Sequence, residues 1–100
     1  VSAPIYVDRL TSYVERGIFS GGSCHMFAAP EHREGLHAFA ARIGLRRSWF
    51  QEHPLCPHYD LTASRRVEAV RLGAVELTRS EAVALWRSWR RLGLACARGR

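Results

Sequence analysis

Ser23-Cys24-His25-Met26-Phe27-Ala28-Ala29-Pro30-Glu31-His32-Arg33-Glu34-Gly35-Leu36-His37-Ala38-Phe39-Ala40-Ala41-Arg42-Ile43-Gly44 changes its period halfway, and that change decides the fold class. In a strand, successive side chains point to opposite faces. Residues 23–28 therefore present Cys24, Met26 and Ala28 on one side, His25 and Phe27 on the other. From Pro30 the spacing becomes helical. Proline suits a first helical position, and Glu31 and Glu34 sit near the positive end of the helix dipole. Leu36, Phe39, Ala40 and Ile43 then recur at i, i+3, i+4 and i+7 as one apolar stripe, and Gly44 supplies the stop.

The same alternation extends outward in both directions. Upstream, Pro4-Ile5-Tyr6-Val7-Asp8 is a short stretch of β-formers ending in an acid. Thr11–Gly22 has weak periodicity and reads as a loop. Downstream, Ser48-Trp49-Phe50 reads as a short strand, and Gln51–Asp60 as a loop stiffened by Pro54 and Pro57. Thr62 or Ser64 caps a second helix that buries Val67 and Val70, with Ala69 and Leu72 beside them, and ends at Gly73. Ala74–Leu77 is the next strand. Thr78-Arg79-Ser80-Glu81 has the capping-box pattern and opens a third helix burying Ala82, Leu85, Trp86 and Trp89. The expectation is a small single α/β domain over residues 1–92, with a three- to four-stranded, mainly parallel sheet and about three helices. Residues 93–100 follow as a basic, frayed tail.

Composition bounds the function classes. With 100 residues, 47% of them hydrophobic, the chain carries enough apolar material for one core and too much for a disordered segment. No apolar run approaches the roughly 20 residues that a membrane helix requires, and Val1–Leu10 lacks the basic-then-apolar pattern of a signal peptide. All 15 basic residues are arginine, which beside the abundant alanine fits a GC-rich genome better than selection for arginine chemistry. The net charge of +6 is uneven. Residues 79–100 hold six arginines against Glu81, a net +5, while the other 78 residues hold nine arginines and eight acids, a net +1. Cys24, Cys56 and Cys96 form an odd set without framework spacing and read as reduced thiols of a cytoplasmic protein.

Candidate chemistry concentrates in His58-Tyr59-Asp60-Leu61-Thr62-Ala63-Ser64-Arg65-Arg66. The first turn of a helix is already positive, so two arginines entering there leave an excess that an oxyanion would neutralise. A phosphate could accept from backbone N–H groups, from Thr62 or Ser64, and from the Arg65 and Arg66 forks, with Tyr59 alongside. The alternative is internal: Asp60 pairs with Arg65 or Arg66. In open α/β sheets, ligand-contacting groups gather at strand ends and following helix starts. Asp8, His25, His58 and Asp60 all occupy such places. If neighbours, they give two imidazoles and two carboxylates suited to acid–base work on a phosphate ester or glycosidic bond. His37, one step off the helix stripe, reads as a boundary residue, His32 as solvent-facing and His53 as a loop residue.

Metal chemistry is weaker in the sequence. His53, Cys56 and His58 with Cys24 and His25 offer zinc-type ligands, but the spacing matches no finger or knuckle, and no metal ligand is assigned. A divalent ion on Asp8 and Asp60 is a comparable alternative. Trp86 and Trp89 lie on an apolar helix side, which favours core over base stacking, while Trp49 or Phe50, with the Gln51 amide, could line a pocket. There is no Gly-rich phosphate loop, nucleophile elbow or H-E-x-x-H motif.

Tyr6-Val7-Asp8, Cys24-His25-Met26-Phe27-Ala28, Leu36-His37-Ala38-Phe39-Ala40, Gly44-Leu45, Trp49-Phe50-Gln51, Pro57-His58-Tyr59-Asp60-Leu61-Thr62, Ser64-Arg65-Arg66 and Gly73-Ala74-Val75 together resemble a short bacterial and phage family known as domain of unknown function 4031. The resemblance spans about Ile5 to Leu85. It implies a free-standing single domain with no assigned activity, with His25 and the His58-Tyr59-Asp60 run among its defining positions. The combined expectation is an enzyme or binder for a nucleotide or other phosphorylated ligand, its cofactor unknown. Asp8, His25, His58 and Asp60 would be catalytic, and Tyr59, Thr62, Ser64, Arg65 and Arg66 would bind the ligand. The alternatives are a nucleic-acid-binding module using the C-terminal arginines and a protein-interaction or homodimer module burying Trp49 or Trp89.

Overall fold

Four short strands and three α-helices follow one another in the computed structural model, which describes residues 3–11, 21–54 and 56–93. They are β1 (Tyr6–Val7), β2 (Ser23–Phe27), α1 (Arg33–Arg42), β3 (Tyr59–Thr62), α2 (Ala63–Arg71), β4 (Val75–Glu76) and α3 (Arg79–Arg91), with 3-10 turns at Pro30–His32 and Arg47–Trp49. The strands form one sheet in the order β3-β2-β1-β4. The α/β class is as the alternating periods predict, but a mainly parallel sheet is not what forms. β2 runs antiparallel to both β1 and β3, and only β1 and β4 pair in parallel.

The connection between β2 and β3 explains the difference. Its register sets Met26 opposite Tyr59, so β3 starts beside the end of β2. A helix normally carries the chain back along a sheet to begin a parallel strand. Here α1 travels about 15 Å over its ten residues, and residues 43–58 retrace the distance. The excursion returns to the edge it left. The connection through α2 is a true crossover, because β3 and β4 point the same way. Three strands therefore share one direction, and the reversed β2 among them makes most pairings antiparallel.

The pleat sorts side chains into two layers. Val7, Cys24, Met26, Tyr59 and Leu61 face α1 and α2, whose Leu36, Phe39, Ala40, Ile43 and Ala69 complete the main core. On the other face α3 lays Ala82, Trp86 and Trp89 against Phe27 and Tyr6. The tryptophans are thus packing residues, and Trp86 and Phe27 ring centroids are 5.2 Å apart.

Helix boundaries follow the capping chemistry. Thr62 accepts a hydrogen bond from the Arg65 backbone N–H at 3.3 Å and starts α2. Thr78 and Glu81 form the reciprocal capping box of α3, at 3.1 and 2.8 Å. Gly44, at φ +83°, turns the chain out of α1 in the left-handed region that a side chain disfavours.

Three local expectations are corrected. Ser48-Trp49-Phe50 lies in and after a 3-10 turn instead of a strand, closed by the Phe50 N–H to the Arg47 carbonyl, with Trp49 exposed. Val67 is 67% exposed, because α2 turns Ala69 to the sheet and keeps only Val70 and Leu72 partly covered. His37 is buried, bonded through Nδ1 to the Tyr59 hydroxyl at 2.7 Å. Most of the expected loop at residues 11–22, and the tail beyond Gly93 with Cys96, lie outside the described residues. Among the described residues no helix is long and apolar enough to cross a membrane.

Candidate functional site

Alternation along three strands gathers the site on the α3 side of the sheet. Val7 points into the main core, so Asp8 emerges on the opposite face. On β2 the odd member His25 does the same, and around Tyr59 both His58 and Asp60 do. Register then makes them neighbours: His25 lies directly across from Asp60, and the Asp8 N–H donates to the His25 carbonyl at 3.1 Å.

The side chains are tightly interlocked. One Asp8 oxygen accepts from the His25 backbone N–H, and the other meets His25 Nδ1, both at 2.7 Å. The His25 and His58 rings stand edge to face, with centroids 4.5 Å apart. His58 Nδ1 donates to the Cys56 carbonyl at 2.5 Å, which leaves Nε2 turned toward Asp60 Oδ1 at 3.4 Å. The Gln51 amide donates to the other Asp60 oxygen, a contact held by the backbone bridge between Gln51 and His58. One ligand-type atom from each of His25, His58 and Asp60 lies within 4.8 Å of the other two.

Electrostatics follow from these contacts. The Asp8 hydrogen bond raises the His25 pKa above its ordinary 6.5, against the opposing effect of partial burial. The His58 imidazole, helped by the Gln51 amide, holds the Asp60 carboxyl below the usual carboxylate range. Burial pushes the Cys24 thiol up to about 12 and raises Cys56 as well. Both cysteines are free, buried and protonated, and so poorly suited as zinc thiolates or nucleophiles.

A cleft of roughly 520 Å³ reaches this cluster at Asp8 and His25, between the end of β1 and the start of α3. It is lined by Asp8, Arg9, Thr11, His25, Arg79 and Trp86, with Leu10 and Val83. A shallower depression around Thr78, Ser80 and Arg87 shares Arg9 and Arg79 with it. Arg9 and Arg79 have no hydrogen-bond or ion-pair partner among the described residues.

The nine residues singled out in the sequence separate into three groups. Asp8, His25, His58 and Asp60 are neighbours in the structure, which is the condition the sequence reading set for them to share a site. Thr62, Ser64, Arg65 and Arg66 stand at the start of α2, but the open anion seat expected there is taken up internally. Arg65 Nη1 donates to the Ile43 carbonyl. Arg66 Nε donates to the Asp8 carbonyl at 2.9 Å, and its Nη1 pairs with Glu76 at 3.0 Å. Thr62 is spent on the cap, with Ser64 Oγ 3.3 Å from its hydroxyl. The Asp60 alternative fails too, since Asp60 turns to His58 and Gln51. Tyr59 points to the opposite face, 1% exposed, and takes no part in the cleft.

Arg9 and Arg79 are the cleft residues missed in the sequence. Arg79 carried a usable signal, being an arginine in a first helical turn, the same argument applied to Arg65 and Arg66. Arg9 carried none. Of the sequence-stretch ligands considered for zinc, His53 is stacked no closer than 6.1 Å, ring to ring, from His58.

Fold and site together define a small three-layer α/β domain with a histidine–aspartate cluster beneath an arginine-rimmed cleft. The chain belongs to the family described as "Protein of unknown function (DUF4031)", which matches residues 5–89. No curated protein and no solved structure matches it.

Proposed function

We propose that the cleft binds a phosphorylated small molecule, such as a nucleotide, and hydrolyses its phosphate ester. The observation that carries this reading is the meeting, in one cleft, of Asp8 and His25, the latter a member of the His25–His58–Asp60 cluster, with two guanidinium groups that have no partner among the described residues. Arginine forks match phosphate oxygens in geometry and charge. The cluster below them presents carboxylate and imidazole groups that orient and polarise an attacking water. Arg9 and Arg79 would take the phosphate charge as it develops. Asp8 would hold the His25 ring in place, with Arg66 supporting Asp8 from behind. The positive potential attributed in the sequence to the start of α2 is thus supplied at the start of α3.

The test is a thermal-shift and phosphate-release screen of nucleoside monophosphates and sugar phosphates, with inorganic phosphate as reference. At least one compound should stabilise the protein, and Arg79→Ala should weaken its binding about tenfold or more, the scale of a lost hydrogen bond to a charged group. Absence of any shift, or equal affinity in the variant, overturns the reading.

A second reading, a nucleic-acid-binding module, is favoured by the exposed Arg87, Arg90 and Arg91 on α3. It predicts affinity for duplex or single-stranded oligonucleotides that falls steeply with salt. Triple substitution of those arginines would abolish that affinity and leave small-molecule binding intact.

A further inference from the structure

We infer that His25, His58 and Asp60 form a binding site for a divalent transition-metal ion, of which zinc is the representative. The inference goes beyond the proposed phosphate chemistry and stands whether or not that reading holds.

Three features of the cluster point to a metal over a bare proton relay. First, both imidazoles have one nitrogen already committed. His25 Nδ1 is tied to the Asp8 carboxylate at 2.7 Å and His58 Nδ1 to the Cys56 carbonyl at 2.5 Å. A metal-binding histidine almost always donates its second N–H to a carboxylate or carbonyl in this way, which fixes the tautomer and aims the ring. Each histidine is left with Nε2 to offer. Second, the separations suit coordination better than hydrogen bonding. His58 Nε2 and Asp60 Oδ1 are 3.4 Å apart, longer than the usual 2.7–2.9 Å of a charge-assisted hydrogen bond. Two atoms bound at about 2.0–2.2 Å to a tetrahedral ion stand roughly 3.3–3.6 Å apart. With one ligand-type atom from each of the three residues within 4.8 Å of the other two, a side-chain adjustment closes the site. Third, the Cys56 carbonyl holds one edge of the His58 ring and the Gln51 amide holds the outer Asp60 oxygen, so His58 Nε2 and Asp60 Oδ1 are aimed at the same point. A cation placed between them would draw on both.

The donor set selects the ion. Two neutral imidazoles and one carboxylate suit zinc, iron or cobalt, whereas magnesium and calcium prefer oxygen ligands. Three protein donors leave a fourth position open, as in catalytic zinc sites. That position faces the cleft, since His25 and Asp60 are part-exposed and His25 lines it, while His58 closes the site from inside. Gln51 holds the outer Asp60 oxygen and Asp8 holds His25, so these two are positioning residues.

The experiment titrates the tag-free, chelator-stripped full chain with Zn2+ and Co2+ by calorimetry and visible absorption. One equivalent should bind and Mg2+ should not compete. The Co2+ form should show ligand-field bands of a low-coordinate nitrogen/oxygen site, with no sulfur-to-metal charge-transfer band. Asp60→Asn and His25→Gln should each weaken binding at least tenfold. Asp8→Asn, which keeps an oxygen for the His25 backbone N–H and changes the group facing the His25 ring, should weaken it about 10- to 100-fold. In the unmodified chain, Zn2+ should shift the ring resonances of His25 and His58 and spare those of His32 and His37, a readout needing no variant to fold. No uptake, a thiolate charge-transfer band, or unmoved His25 and His58 resonances would overturn the inference. A chain that binds zinc but no phosphorylated compound would keep this site and lose the phosphate reading.

Discussion

Tyr59→Phe separates a structural role for this tyrosine from a ligand-binding one. Its side chain is 1% exposed, and its hydroxyl lies 2.7 Å from Nδ1 of His37, itself 8% exposed. The Phe50 ring packs edge to face with the same imidazole, centroids 4.7 Å apart. Removing the hydroxyl costs the hydrogen bond and leaves a buried ring nitrogen without a partner, together about 1–3 kcal/mol. For a domain of this size, that lowers Tm by at least about 4 °C. Urea unfolding followed by tryptophan fluorescence would read the loss as a lower midpoint at unchanged slope. His37→Phe in a double-mutant cycle should return a coupling of about 1 kcal/mol. The pair also gives a pH signature. Burial, aided by the nearby Arg47 and Arg33 cations and opposed by Glu34 and Glu52, lowers the His37 pKa from 6.5. The unfolded chain therefore takes up a proton that the folded chain resists. This contribution to stability is complete above about pH 6.5 and is lost as pH falls toward the folded value. His37→Phe should flatten that part of the acid slope. A Tyr59→Phe change below about 0.5 kcal/mol, or a loss of ligand binding at unchanged stability, would refute the reasoning.

Arg66→Ala should destabilise by about 1–2 kcal/mol, because it strips the Asp8 carbonyl of a partner and breaks the Glu76 pair at a mostly buried guanidinium. Its affinity for phosphorylated compounds should change far less than that of Arg79→Ala. Gly44→Ala combines a left-handed φ of +83° with a Cβ placed 2.9 Å from Arg65 Nη1. It should cost more than about 1 kcal/mol by thermal unfolding. Thr78→Ala removes the capping box of α3 and should cost about 1 kcal/mol, with helix loss visible by circular dichroism near the midpoint.

Local chemistry was legible in the sequence, and long-range geometry was not. The period-2 pattern placed Cys24 and Met26 opposite His25 and Phe27, and the caps at Thr62 and Thr78 marked two helix starts. Both depend on neighbours a few residues away. That β3 runs back against β2 depends on the long path from α1 to β3, which no local pattern encodes. The anion seat at α2 was misjudged for a similar reason. Its positive charge is absorbed by the Glu76 carboxylate and by the Ile43 and Asp8 carbonyls, the latter two 22 and 58 residues distant from their arginines. Backbone acceptors are present at every position, so composition gives no warning of them. The cluster itself was foreseen as a set of residue types. Its arrangement, with Gln51 and the Cys56 carbonyl holding the donors, needed the register of β2 against β3.

That register binds the histidine cluster to the oily interior by a single mechanical link. Sliding β2 by one residue along its partners would turn Cys24 and Met26 away from the main core and drive the polar His25 edge into hydrocarbon. A chain mispaired in this way could neither assemble its interior nor display its polar quartet. Correct folding and the assembly of the cluster are therefore one event, and any copy stable enough to persist carries its four polar groups already aligned.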